Sequence, residues 1–132
     1  MSRAYRLLAV PFFLALTIVP AQPASHRMEK ALDRLEPVTR MMEICGIKAG
    51  EELRRERAYK AVNRVVVDAI EAPEIDNNVV AGTGGAFRHK GHWYQLQFEC
   101  TLTEDQRSAV SVDFVVGVEI PEAQWEDYGL WK

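Results

Sequence analysis

The side chains best placed to do chemistry in this sequence are Glu99 and Asp113, which lie in two alternating stretches joined by a short polar turn. If the hairpin pairs Phe98 with Phe114, these carboxylates stand opposite each other and could share a proton. Two carboxylates flanking a scissile bond are the machinery of most glycoside hydrolases. The sequence supplies no cleft around them, and with Arg88 or Lys90 nearby a solvated polar face is the better reading. His89 and His92 flank the Lys90-Gly91 turn without a third ligand at a recognisable spacing, so they read as surface histidines and no metal is expected. Gly82-Thr83-Gly84-Gly85 could cradle a phosphate, but no helix follows to supply its amides. A flexible hairpin loop is expected there, and no cofactor. No serine stands in a nucleophile elbow, so the chain does not read as an enzyme.

Recognition fits the same region better. Trp93 shares a face with Gln95 and Gln97, and Arg88, His89 and Lys90 stand immediately before it. Exposed tryptophan and arginine around a projecting loop suit contact with a protein partner. The competing arrangement buries Trp93 under the C-terminal segment, with its indole N–H finding a partner there.

The elements that would carry these residues divide the chain into a helical first half and a strand-rich second half. Met28, Ala31, Leu32 and Leu35 predict a short amphipathic helix from Ser25 to Leu35. Pro37 opens a second helix with Val38, Met41, Met42 and Cys45 on one stripe, and Gly46 is placed to end it. Lys48 to Lys60 predicts a further exposed helix, with Leu53 and Tyr59 facing inward. Arg64 to Ile70 then reads as a strand, Asn77-Asn78 as a turn and Val79 to Ala81 as a brief strand. Tyr94, Leu96, Phe98, Cys100 and Leu102 share one face of the next strand, opposite Trp93, Gln95, Gln97, Glu99 and Thr101. Val110, Val112, Phe114, Val116, Val118 and Ile120 line the partner strand, and Pro121 opens a short C-terminal helix. The predicted class is α+β, with N-terminal helices packed on one face of an antiparallel sheet meander.

The N-terminal residues and the composition set the compartment. Arg3 and Arg6 precede a thirteen-residue apolar run, Leu7 to Val19, and Ala21 and Ala24 follow. This layout predicts a secretory signal peptide, residues 1–21, cleaved after Ala21 or alternatively after Ala24. The run is too short for a permanent span, so no membrane span is expected after cleavage. Residues 22–132 then form one domain of 111 residues with 14 Lys and Arg against 19 Asp and Glu, too acidic for a nucleic-acid binder. Two cysteines in a short exported domain predict a disulfide, Cys45–Cys100. Cys45 lies on a helix stripe and Cys100 on the inner sheet face, so the bridge would tie helix layer to sheet.

The stretch G-A-F-R-H-K-G-H-W-Y-Q-L-Q-F-E-C and the ending V-D-F-V-V-G-V-E-I-P-E-A-Q-W-E-D-Y-G-L-W resemble the domain of unknown function 930 family, as does L-E-P-V-T-R-M-M-E-I-C. That family comprises small exported proteins of Gram-negative bacteria, and the resemblance covers Leu35 to Trp131. It implies a single periplasmic domain with both cysteines in family positions. One activity attached to the family is inhibition of lysozyme-type peptidoglycan hydrolases. The segment Ala81 to Gly91 also resembles the small-residue loop of periplasmic lysozyme inhibitors, with Thr83 in place of their serine and Arg88 and Lys90 as cations. The expected function is therefore a non-enzymatic periplasmic protein that binds a lysozyme-like muramidase or another envelope protein through Thr83, Arg88, His89, Lys90 and Trp93. The alternative is a small-ligand or envelope-component binding module with its pocket between helices and sheet.

Overall fold

The structure, a computed structural model, describes residues 24–132. The expected signal segment, residues 1–21, lies outside them. Two helices, α1 (Ala24–Leu32) and α2 (Pro37–Arg55), precede five strands: β1 (Val62–Val66), β2 (Glu74–Asp76), β3 (Val79–His89), β4 (His92–Leu102) and β5 (Ala109–Glu119). The sheet is antiparallel throughout, in the order β1-β3-β4-β5, with β2 pairing to β3 beyond the end of β1. The class is α+β, as the patterning predicts.

One helix forms where two were expected. Pro37 opens α2, and the Glu36 carboxylate accepts the Thr39 amide at 3.3 Å. The helix runs through Gly46 because Gly46 and Gly50 lie on its buried face, where a Cβ at Gly46 would touch Val65 O and Val67 at 3.6 and 3.7 Å. Their small size sets close helix–strand packing rather than a helix end. The charged stretch after Gly46 forms the last turns of the same helix, with Lys48–Glu52 at 2.9 Å and Glu52–Arg55 at 3.0 Å.

Met41, Ile44, Cys45, Ala49 and Leu53 press the buried stripe of α2 onto Val80, Phe87, Leu96, Phe98, Cys100 and Leu102 of the sheet. The Cys45–Cys100 disulfide crosses that interface between two fully buried residues. The β4–β5 register pairs Phe98 with Phe114 and so places Glu99 opposite Asp113. β5 does not keep one apolar face along its length. Gly117 and Val118 bulge opposite Gln95, which moves Ile120 to the outer face, where its amide donates to Trp93 O at 2.8 Å. Of the six residues expected on the inner face, Val112, Phe114 and Val116 pack there, while Val110 and Val118 are exposed.

The expected C-terminal helix takes the form of two 3₁₀ turns, Glu122–Gln124 and Glu126–Tyr128. They lay Trp125 and Leu130 onto Ala86, Trp93 and Ile120 as a second, smaller core on the outer face. Among the described residues no helix is long and apolar enough to cross a membrane.

The bridge closes 55 residues of chain, and in the chain-entropy model it stabilises by about 4 kcal/mol. A C45A–C100A double variant is expected to lose stability of that order in denaturant unfolding. Equal midpoints for parent and variant would mean that the bridge does not constrain the chain.

Candidate functional site

The outer sheet face has two ends with different fates. Register places Arg64, Arg88 and Trp93 in one row, and Val66, Ala86 and Gln95 in the next. The C-terminal segment covers this end. Trp93 is 0 % exposed, its indole Nε1 donates to Trp131 O at 2.8 Å, and the Trp131 ring meets it edge to face at 5.4 Å. Trp125 Nε1 donates to Ile120 O at 2.8 Å and fastens the segment again. The expectation of an exposed Trp93 for partner contact is therefore overturned: the ring anchors the C-terminus.

At the other end the outer face is open. Ala81, Glu99 and Asp113 form one cross-strand row, with Gln97 and Val115 beside it. A groove of about 460 Å³ runs over these residues and Thr83, walled by Glu71, Ala72 and Glu74. Four carboxylates thus line it: Glu71, Glu74, Glu99 and Asp113. The cleft that the sequence did not reveal around Glu99 and Asp113 exists, and it lies on the face away from the helices. Between α2 and β1, where a helix–sheet binding site was expected, lies a cavity of about 100 Å³ beside Gly46, smaller than the outer groove.

The wall is held by glycines. Gly82 to Gly85 do not form a loop; they are the middle of β3, where two residues oppose Gln97 alone. A Cβ on Gly84 would lie 2.5–2.6 Å from the backbone and Cβ of Glu71, and Ile70 N donates to Gly84 O at 2.8 Å. The chain from β1 to β2 therefore rides directly over the bulge, and only glycine admits it. Three glycines in four residues are the signal that could have announced this close approach. Without a partner segment in view they read as a loop.

The remaining expected contact residues do not converge. Thr83 is exposed in the groove. Lys90 is exposed at the far tip, in a two-residue turn with φ of 51° at Lys90 and 80° at Gly91 that joins His89 to His92. Arg88 is half-buried on the outer face of β3. His89 points to the inner side, edge-on to Tyr59 at 5.9 Å. Ala81 to Trp93 is thus part of a bulged β3–β4 hairpin rather than a projecting loop. His92 Nδ1 lies 2.6 Å from Glu119 Oε1, and among the described residues no three metal-ligating side chains come together.

Gly84→Ala is expected to destabilise the fold by about 1–3 kcal/mol through overpacking and to displace the Glu71–Glu74 wall. Thermal unfolding reads the first effect, and amide shifts of Glu71 and Glu74 the second. An unperturbed variant would mean that the close approach does not hold the wall.

No curated protein and no solved structure matches the chain. A family model described as Domain of Unknown Function (DUF930) does match it, over residues 32–130, a span that takes in α2, the whole sheet and the C-terminal turns, and the chain belongs to that family.

Proposed function

We propose that the protein is an exported, periplasmic and non-enzymatic binding protein whose outer groove receives a cationic segment of a partner. A lysozyme-type peptidoglycan hydrolase is the partner of first choice, as an inhibited target. The observation that carries this reading is charge left uncompensated: among the described residues none of Glu71, Glu74, Glu99 and Asp113 takes part in an ion pair. Like charges directly opposite on neighbouring strands destabilise a sheet, so Glu99 facing Asp113 is better explained by something that binds them than by folding. A basic partner relieves that repulsion and is steered in by it. The disulfide suits an oxidising compartment, in keeping with the expected export.

In this reading the contact moves from the hairpin tip to the groove. The tip carries Lys90 as its exposed cation, while Thr83 belongs to the groove itself. The Glu99–Asp113 register inside a cleft also favours a second reading, a hydrolase using the two carboxylates as acid and base.

One lytic assay on peptidoglycan separates these readings. Stoichiometric protein is expected to slow an added muramidase and to form a complex with it. Glu99→Gln with Asp113→Asn is expected to weaken that complex about tenfold or more and to flatten its salt dependence. Lys90→Glu is expected to leave it intact. Full-rate lysis with no complex for every muramidase tested would end the inhibitor reading. Lysis by the protein alone would replace it with the hydrolase.

A further inference from the structure

Away from the groove, the covered end of the outer face holds an opposite anomaly. Arg64 and Arg88 are direct cross-strand partners between β1 and β3, so the two basic side chains leave the sheet at adjacent positions on its outer face. Among the described residues neither arginine has an ion-pair partner, and neither donates a side-chain hydrogen bond. Arg88 Nε is shielded from solvent with nothing to donate to. Arg64 Cζ sits 5.5 Å from the centroid of the Trp131 ring, which fixes its position without neutralising it. Trp131 is in turn held by its carbonyl on Trp93. The pair is therefore preorganised by the second core, and among the described residues no carboxylate forms an ion pair with either member to offset their mutual repulsion.

Planar guanidinium forks match the two oxygens of a carboxylate or phosphate, and bonds to such groups are the strongest that arginine makes. We propose that Arg64 and Arg88, beside Trp131, form a binding site for an oxyanion carried by a ligand, either a carboxylate or a phosphate. The anion would sit between the two guanidinium groups, take the orphaned Arg88 Nε–H and turn the repulsion of the pair into shared attraction. This site is independent of the carboxylate groove and does not need the proposed partner.

The test titrates the protein with sodium phosphate and, separately, sodium acetate, at ionic strength matched with sodium chloride. It follows tryptophan indole and arginine Nε–H resonances. Saturable shifts at Trp131 and Arg88 are expected with phosphate, acetate or both, and the salt that saturates identifies the source of the oxyanion. Arg64→Gln and Arg88→Gln are each expected to weaken binding about tenfold or more, and Arg88→Lys to weaken it while keeping the charge. Without added anion, both glutamine variants are expected to unfold at or above the parent temperature, because the repulsion is gone. Shifts that do not saturate with either salt, or that survive both glutamine substitutions, would overturn the proposal. So would glutamine variants that unfold well below the parent, which would make the pair structural.

Discussion

A single long helix can cover one face of a five-stranded sheet, and that constraint organises the rest of this molecule. α2 takes the inner face, and the bridge from Cys45 to Cys100 fixes its position there, because both residues lie wholly inside the interface. α1 adds little cover: every residue from Ser25 to Ala31 is exposed, and Leu32 alone of that helix reaches the core. The outer face must find its cover elsewhere or be polar. The chain does both. The thirteen residues after β5 bend back to bury Trp93, and beyond their reach the surface turns to glutamine, glutamate, aspartate and threonine.

The charges follow the same division. At the open end two carboxylates face each other across β4 and β5; at the covered end two arginines face each other across β1 and β3. Folding gains nothing from either arrangement, since like charges in register cost a few tenths of a kcal/mol or more. Exchanging one member of each pair would have made two cross-strand salt bridges from the same residues. Elsewhere the molecule does use opposite charges, at Lys48–Glu52 on α2 and at Asp33–Arg107, which ties the corner after α1 to the β4–β5 turn. Segregation on the outer face is thus a specific property of that face. It gives the sheet one anionic and one cationic end, each able to hold a ligand of opposite sign.

What the sequence made legible follows from period and count. Alternation from Trp93 to Leu102 predicted the two faces of β4, while the Phe98–Phe114 register entered only as a condition, which the sheet meets. The cysteine count and the faces on which the two residues fall predicted the bridge. The misses share one cause: a residue whose local meaning is reversed by a distant segment. Gly46 signals a helix end unless a strand packs against it, as Val65 does. Gly82 to Gly85 signal a loop unless another backbone crosses them, as Glu71 does. Trp93 reads as exposed on a polar face until residues 125–131 fold over it. β2, three exposed residues long, has no periodicity to read, so the groove wall it continues was not visible.

The boundary between the two ends is itself built into the backbone. Two of the sheet's irregularities fall opposite consecutive outward residues of β4: Thr83 and Gly84 of β3 oppose Gln97, and Gly117 and Val118 of β5 oppose Gln95. Each inserts one residue, so the strand beyond it presents the opposite alternation, and each increases the local twist. On β5 this takes Ile120 to the outer face to meet Trp93, while Asp113 and Val115, before the bulge, remain with the groove. On β3 it leaves Ala81 beneath the groove and sends Ala86 under the tryptophan. A sheet without these insertions would have to choose one character for each strand's outer row. Because both bulges lie at the same level of β4, the change from open and acidic to covered and cationic occurs within two residues across the sheet, and the two candidate sites remain separate surfaces on a single rigid layer.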